Sequence, residues 1–280
     1  MENIFDLFSM KGKTALITGA SGALGGASAF ALAAAGADVA LIYNNHLQKA
    51  EALVERIKPY GGRIKLYKVN TMHVEEIRQN AEDVIADFGK LDVVVNIAGG
   101  NMGGAVYTGA QKSIFDLELQ PQFEVVTLNL FGGCIWPCLL YGAKMLKNPE
   151  GGSIINCSST NGIRSLQGRT AYAAAKAGVI NFTQSLAAHI ARDLNHKIRV
   201  NAVAPGFFPN FRAAGAQMLY NEDGSLAPRA QNGVNATPMG RMGDPKELMG
   251  TILWLASDAS SFVTGVTTPV DGGFLAYSPA

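Results

Sequence analysis

Short runs of apolar residues alternate with longer amphipathic segments along the chain. Most of the short runs are almost continuously hydrophobic, which is typical of strands covered on both faces of a parallel sheet. The runs predicted as strands are TALIT at 14–18, DVALIY at 38–43, IKLYKV at 64–69, LDVVVNIA at 91–98, GSIINCSS at 152–159, KIRVNAVAP at 197–205 and GVTTPVDGG at 265–273. Strand–helix alternation of this kind predicts an α/β fold with a doubly wound, parallel, seven-stranded sheet in a single domain spanning 1–280.

One long stretch shows neither the apolar run of a buried strand nor the repeat of an amphipathic helix. Residues 205–243 run through PGFFPNFRAAGAQMLYNEDGSLAPRAQNGVNATPMGRMG. The stretch is much longer than an ordinary connection between a strand and a helix. We therefore expect a lid or substrate loop here and no domain boundary.

A second segment meets the length rule for a membrane span. Residues 125–143 contain 19 positions without a charge. Asn129, the glycine pair at 132–133 and Pro137 interrupt that run, and the sequence holds no second span. A helix that is apolar all round is also typical of a buried or subunit-interface position, which is the interpretation we favour over membrane insertion.

Charge and cysteine content narrow the choice of partners and compartment. Formal net charge is +1 and the sequence pI is about 7.7, so no strongly basic surface suggests nucleic acid. Three cysteines and four histidines occur without metal-ligand spacing, so we expect no metal site. The cysteines are interpreted as reduced, buried thiols of a cytoplasmic protein without a signal peptide.

The first predicted strand runs directly into a glycine-rich turn and a helix, TALITGASGALGGASAF. Small residues in such a turn let a pyrophosphate approach the backbone N–H groups at the helix N-terminus. Gly19 would make the sharp turn, Gly22 the close approach and Gly25 the contact between helix and sheet. A merely tight strand–helix turn would look similar, because the spacing is not GxGxxG.

We expect the residues at the end of the second strand to determine whether NAD(H) or NADP(H) is preferred. A carboxylate there would accept hydrogen bonds from ribose hydroxyls and repel a 2′-phosphate. This chain has Tyr43, Asn44 and Asn45 and no carboxylate. The pattern therefore favours NADP(H) slightly over NAD(H), although no arginine or lysine stands there to bind the phosphate.

Tyr172 and Lys176 lie four positions apart in the alanine-rich stretch TAYAAAKAGV. Such a pair can be an aromatic ring resting on a lysine stem. Ser159, 13 residues earlier at a strand end, and Asn129, a lone amide in an apolar run, favour a catalytic interpretation.

Hydride transfer to or from a carbinol needs a general acid–base on the oxygen. A phenol ordinarily ionises near pH 10, about three units too high, which corresponds to roughly 4 kcal/mol. An ammonium group about 4 Å away supplies about that much at an effective dielectric constant near 20. Lys176 would thus activate Tyr172, Ser159 would bind the reacting oxygen, and Asn129 would anchor a water leading to Lys176.

These motifs together resemble the short-chain dehydrogenase/reductase superfamily. The matching stretches are TGASGALG, NIAG at 96–99, LNLFGG, SS before YAAAK, RVNAVAPG and VTGVTTPVDGG, collinear over nearly the whole chain. The resemblance implies a Rossmann-type fold, a nicotinamide cofactor, a catalytic tetrad and commonly a homotetramer. The tetrad would be Asn129, Ser159, Tyr172 and Lys176.

The expected cofactor-binding residues follow from the turn, the strand ends and this resemblance. They are Gly19, Ser21, Gly22, Leu24, Tyr43, Asn44, Asn70, Thr71, Asn96, Ala98, Gly99, Tyr172, Lys176, Pro205 and Gly206. Two positions depart from the family pattern. Ala23 replaces a glycine of the turn, and Asn70 replaces the aspartate that receives the adenine amino group. We expect the amide oxygen of Asn70 to accept that hydrogen bond in its place.

Within the superfamily, stretches such as NIAGGN, TPMGRMG and ELMGTILWLASD resemble the D-mannonate oxidoreductases (fructuronate reductases). This resemblance implies a sugar acid such as D-mannonate or D-fructuronate as substrate. A carboxylate is best bound by an arginine fork, and asparagines suit sugar hydroxyls. The candidates are Asn101, Asn161, Arg164, Arg169 and Arg212.

Two alternatives stay open. The same tetrad can serve another ketone reductase, acting on a keto-sugar, on gluconate in the manner of a gluconate 5-dehydrogenase, or on a 3-ketoacyl thioester. A dinucleotide-binding protein without turnover would share the fold. It would have no use for an activated phenol.

Overall fold

The computed structural model describes residues 3–107, 113–209, 219–221 and 223–278. Its seven parallel strands form one sheet in the order β3-β2-β1-β4-β5-β6-β7. The strands are β1 (Thr14–Thr18), β2 (Asp38–Tyr43), β3 (Ile64–Lys68), β4 (Val93–Asn96), β5 (Gly152–Cys157), β6 (Ile198–Pro205) and β7 (Thr267–Val270). The strand order reverses between β1 and β4. In such sheets the crevice at the carboxyl ends of these strands is where ligands bind.

Helices cover both faces of the sheet. They are α1 (Ala23–Ala34), α2 (Leu47–Ile57), α3 (Val74–Phe88), α4 (Leu119–Val126), α5 (Trp136–Met145), α6 (Thr170–His189), α7 (Pro228–Asn235) and α8 (Met249–Ala256). Nine π-helical residues, Thr127–Ile135, join α4 to α5 without a break, and Ile190–Leu194 extends α6 in the same way.

The continuous apolar runs form strands because both faces of the sheet are covered. All five residues of β1 and all eight of β6 are buried. Alternate side chains of β1 enter opposite core layers, with Ile17 packing among α1 and α8 and Leu16 among α3, α5 and α6. The sequence prediction of a parallel, doubly wound seven-stranded sheet in one domain is confirmed.

Predicted and observed strand ends differ mainly at the crevice. The bounds of β1 and β2 are as predicted, whereas β4 ends at Asn96, two residues before the end of its apolar run. Residues 97–100 leave the sheet and line the crevice. The long stretch 205–243 contains α7, so it is not irregular throughout.

The helix Leu119–Met145 is long and apolar enough to cross a membrane by length and composition. It is the one such helix among the described residues, and 39% of its most apolar window is buried inside the chain. Its glycines explain part of this burial. A Cβ on Gly132 would lie 2.1 Å from the carbonyl oxygen of Thr71, so only glycine permits this close approach to the end of β3.

Candidate active site

The turn after β1 presents backbone N–H groups to the crevice. Gly19 has a φ of 67°, and Gly22 precedes α1 without any side-chain cap on the first helical turn. A Cβ on Gly25 would lie 2.2 Å from the carbonyl oxygen of Gly19, so the helix start and the turn are in direct contact. The uncapped N–H groups and the helix dipole suit a pyrophosphate.

The ends of β1 and β4 are tied together beside this turn. The Thr18 hydroxyl oxygen accepts hydrogen bonds from the N–H groups of Ile97 (3.0 Å) and Ala98 (3.1 Å). This contact holds the backbone of residues 97–99 against the crevice, where a cofactor-binding role was predicted for Ala98 and Gly99. Sequence reasoning missed Thr18, although its place at a buried strand end was a usable signal.

We use the name catalytic wall for Cys157, Ser158, Ser159, Tyr172 and Lys176. These residues line a cavity of about 230 Å³ together with the start of α1 and Pro205–Gly206. The structure therefore brings Ser159, Tyr172 and Lys176 to one side of the crevice, opposite the phosphate turn.

Lys176 is almost fully buried, with 3% of its surface exposed. Its ammonium group donates a hydrogen bond to the Cys157 carbonyl oxygen (2.7 Å) and lies 5.6 Å from the centroid of the Tyr172 ring. The Ser158 hydroxyl donates to the carbonyl oxygen of Lys176 (2.7 Å), which fastens α6 to the end of β5. A buried charge needs such partners, and these hold the cation beside the phenol.

Asn129 lies at the π-helical turn and has its side chain fully engaged. Its Nδ2 donates to the carbonyl oxygens of Gly100 (2.7 Å) and Val125 (2.8 Å), and its Oδ1 accepts from the Gly100 N–H (2.9 Å). The residue therefore fixes the loop after β4. A Cβ on Gly99 would lie 2.7 Å from Asn129 Oδ1 and 3.3 Å from Lys176 Nζ, so this loop, Asn129 and the lysine are closely packed.

A second cavity of about 300 Å³ lies at the carboxyl ends of β2 and β3 and adjoins Gly19. We call it the amide pocket because four asparagines line it: Asn44, Asn45, Asn70 and Asn101. Tyr43 and Thr71 also contribute, and none of the described lining residues is charged. With phosphates at the start of α1, the adenosine half of a dinucleotide would enter this pocket.

Three further residues with predicted roles are placed by the structure as follows. Asn101 lines the amide pocket. Asn161, Arg164 and Arg169 are not among the described residues that line the cavity at the catalytic wall. The Oδ1 of Asn70 accepts a hydrogen bond from the Met72 N–H (3.1 Å), and an amide oxygen can accept a second one, so its expected bond from the adenine amino group stays a prediction. Asn96 is fully buried, and its side chain donates to Asn156 Oδ1 (2.9 Å) below the crevice.

The substrate candidates after Ser159 differ from one another. Arg164 donates to the carbonyl oxygen of Tyr277 (2.8 Å) and lies 4.3 Å from the centroid of the Phe274 ring, so it holds the C-terminal segment. Asn161 accepts from the Leu166 N–H (2.6 Å). Arg169 precedes α6. The buried Nδ2 of Asn161 and the buried Nε of Arg169 have no hydrogen-bond partner in the part of the chain that the structure describes. Arg212 lies outside the described residues.

The cysteines around the catalytic wall are buried and unpaired. Burial raises the pKa of the Cys157 thiol, although the nearby ammonium group of Lys176 opposes the shift. A hydrogen bond with Cys138, followed by burial, raises the pKa of Cys134 well above its ordinary value. Both groups remain thiols at neutral pH and carry no charge into the site. No cluster of potential metal ligands occurs among the residues that the structure describes.

The residues present fit a nicotinamide dinucleotide. The uncapped turn before α1 suits its pyrophosphate, the amide pocket its adenosine, and the cavity at the catalytic wall its nicotinamide and the substrate. When bound, the cofactor supplies or accepts the hydride. A doubly wound sheet with this phosphate turn and a tyrosine–lysine pair defines a nicotinamide-dependent oxidoreductase acting on CH–OH groups.

Comparison with known proteins identifies the family. The family model described as enoyl-(acyl carrier protein) reductase matches residues 19–275. The chain is 38% identical over 278 residues to the uncharacterized oxidoreductase UxuB of Bacillus subtilis, covering 96% of this chain and 97% of that protein. It is 34% identical to the NADP-dependent mannitol dehydrogenase of Hypocrea jecorina, covering 97% and 95%. The chain belongs to the short-chain dehydrogenase/reductase family.

A solved structure extends the comparison. It is a candidate D-mannonate oxidoreductase from Haemophilus influenza with bound NAD, 35% identical, with a TM-score of 0.86. The superposition covers 99% of each chain. The fold, the family and the use of a nicotinamide cofactor predicted from the sequence are therefore confirmed.

Proposed function

We propose that this enzyme transfers hydride between a nicotinamide cofactor and the C–OH or C=O carbon of a sugar acid, such as D-mannonate or D-fructuronate. In the reducing direction, Tyr172 gives its proton to the substrate carbonyl oxygen as hydride reaches the carbon. Ser159 donates a hydrogen bond to the same oxygen, and Lys176 stabilises the phenolate that remains. Oxidation reverses these transfers.

The observation that supports a sugar-acid substrate is the hydrogen bonding of the Arg169 guanidinium. Its Nε is buried and lacks an acceptor among the described residues, three positions before Tyr172 on the loop that follows Ser159. A buried guanidinium donor without a partner is costly, and a substrate carboxylate is the anion best matched to it. The likeness to a candidate D-mannonate oxidoreductase supports the same choice.

A neutral polyol or ketose is the second candidate substrate. Lys176 is the one cation among the described residues that line the cavity, and its ammonium group is engaged by Cys157. The likeness to a mannitol dehydrogenase favours this class, which needs no carboxylate anchor.

Matched substrate pairs separate the two candidates. Purified enzyme is offered D-fructuronate against D-fructose, and D-mannonate against D-mannitol, while the absorbance of the reduced cofactor is followed. A sugar-acid enzyme should show a kcat/KM at least tenfold higher for the acid of each pair. Arg169→Met should remove that preference, whereas Arg192→Met, at a side chain that is 88% exposed, should retain it. A preference for the neutral sugars, unchanged in Arg169→Met, would select the second candidate.

We further propose that NADP(H) is modestly favoured over NAD(H). Asn44 and Asn45 at the end of β2 place no carboxylate against a 2′-phosphate. The described pocket also holds no cation that would attract one, so the preference should be small. Fluorescence titrations with NADPH and NADH test it, and equal or tighter binding of NADH would overturn it.

We also propose a cytoplasmic homotetramer that contacts neither membrane nor nucleic acid. Large apolar side chains are exposed along the helix Leu119–Met145 at intervals of four or eight residues: Leu119, Phe123, Phe131 and Leu139. A second copy of the chain covering this face would remove them from water. Light scattering should give four times the 29.5 kDa chain mass, and Phe123→Glu should give smaller species. A monomeric wild-type protein would contradict the assembly.

A further inference from the structure

A third cavity, of about 320 Å³, lies at the carboxyl ends of β6 and β7. Its walls come from the residues that follow these two strands and from the segment between α7 and α8. Most of the side chains that form these walls are apolar, so we call the cavity the apolar pocket: Phe207, Phe208, Met239, Pro269 and Val270. None of the residues assigned above to the cofactor or to catalysis lines it, so the proposed reaction gives it no role.

The polar side chains around the apolar pocket are bonded within the chain. The guanidinium group of Arg241 donates two hydrogen bonds of 2.7 Å to the carboxylate of Glu247. The Thr237 hydroxyl donates to the Gly233 carbonyl oxygen (2.8 Å), and the Asp271 carboxylate accepts from two backbone N–H groups. No ligand is needed to give any of these groups a partner. The remaining surface of rings and aliphatic chains suits an apolar group better than a sugar hydroxyl or a carboxylate.

One aromatic residue, Phe208, lines both the apolar pocket and the cavity at the catalytic wall. No other described residue lines both, and its neighbour Phe207 lines the apolar pocket alone. The Phe208 ring packs directly against Gly243, where an added Cβ would lie 2.6 Å from a ring carbon. The Gly243 N–H donates to the Phe207 carbonyl oxygen (2.9 Å), which fixes this contact to the chain beside the ring. The Phe208 ring therefore stands between the two spaces.

We propose that Phe208 determines which substituents the enzyme accepts on the reacting carbon, because its ring closes the apolar pocket to the substrate. A small polar substrate needs only the cavity of about 230 Å³ at the catalytic wall. A secondary alcohol or ketone with a phenyl substituent would need the adjoining apolar pocket, which the ring denies it. The inference rests on the proposed hydride transfer at the catalytic wall and adds a residue that selects the substrate by exclusion.

A pair of alcohols that differ in one substituent tests the proposal. The oxidation of 1-phenylethanol is compared with that of propan-2-ol, which carries a methyl group in place of the phenyl group, and formation of the reduced cofactor gives kcat/KM for each. Phe208→Ala opens the apolar pocket to the phenyl group, so the phenyl-to-methyl ratio of kcat/KM should rise at least about tenfold over the wild-type ratio. Phe207→Ala is the matched control. It removes the same ring from the apolar pocket but leaves Phe208 in place, so its ratio should stay within about threefold of the wild-type ratio.

A binding measurement gives the same comparison where turnover is slow. The complex of the enzyme with NADPH is titrated with each alcohol, which cannot pass hydride to a reduced cofactor, and the nicotinamide fluorescence is followed. Thermal unfolding checks that both variants are folded, and Phe208→Val takes the place of Phe208→Ala if that variant is not. A wild-type ratio in Phe208→Ala, or an equal rise in Phe207→Ala, would overturn the inference. Failure of the wild-type enzyme to bind NADPH would instead contradict the proposed function.

Discussion

The catalytic wall and the amide pocket lie at the same edge of one sheet and differ in how they treat charge. The wall buries one ammonium group, Lys176, and holds it through the Cys157 carbonyl. The amide pocket is lined by four asparagines, and none of its described lining residues is charged. Burying a charge costs free energy unless partners are fixed around it, so the fold does this where the reaction needs a permanent field. Burying a neutral amide costs less free energy than burying a charge, and an amide distinguishes less sharply between charged and neutral ligands.

The largest expected effect comes from removing the proton donor at the catalytic wall. Tyr172→Phe keeps the ring packed against the small buried cluster of Ala105, Val125 and Ala171 but removes the hydroxyl. We expect kcat to fall by about 10³ or more, because general acid–base catalysis is lost. Dinucleotide affinity should stay within threefold, since the pocket for the adenosine half is untouched. Steady-state kinetics and fluorescence titration measure the two, and full turnover would remove Tyr172 from its role.

Crowding the wall without removing a functional group should have a smaller effect. The Cβ of Gly99→Ala would lie 2.7 Å from Asn129 Oδ1 and 3.3 Å from Lys176 Nζ. We expect kcat to fall roughly 10- to 100-fold as these groups shift, which corresponds to about 1.4–2.7 kcal/mol. Gly250→Ala is the control and should retain activity, because outside its own helix no atom of the described residues lies within 4 Å of the new Cβ. Equal activity of the two variants would show that the wall tolerates displacement.

A charge introduced into the amide pocket should act on cofactor choice alone. Asn44→Asp places a carboxylate where a 2′-phosphate would lie, and we expect the ratio of NADPH to NADH affinity to fall about tenfold. Asn195→Asp, a remote amide whose oxygen caps Lys197, should leave the ratio unchanged. Titrations with both reduced cofactors measure it. If Asn44→Asp left the ratio unaltered, the pocket would not contact the phosphate.

The smallest expected effect concerns the three buried thiols, Cys134, Cys138 and Cys157. Because burial raises the pKa of Cys157, and a hydrogen bond with Cys138 raises that of Cys134, the reactive thiolate stays scarce as pH rises through neutrality. A thiol reagent at pH 7 should modify less than one of the three cysteines in the native enzyme and all three in denaturant. Native labelling should increase only above about pH 9. Rapid labelling at pH 7 would show that the wall opens.

The strands and the Tyr172–Lys176 spacing could be predicted because both are local properties of the chain. Continuous apolar runs form strands wherever both sheet faces are covered, and four positions along a helix bring two side chains to one face. The roles of Arg164 and Asn101 could not be predicted in this way. Arg164 lies 113 positions from its partner Tyr277, and Asn101 reaches the ends of β2 and β3 only through the strand order of the folded sheet.

Sequence alone therefore determined the fold class, and it indicated the glycine-rich turn and the Tyr172–Lys176 pair, since each pattern lies within short stretches of the chain. Only the tertiary structure decided that Lys176 is held by the Cys157 carbonyl. It also decided that Asn129 is bonded to the loop after β4, and that Asn70 lines the same pocket as Asn101 at the ends of β2 and β3. Hydrogen-bond partners distant in sequence are chosen by packing, and packing depends on the whole chain at once.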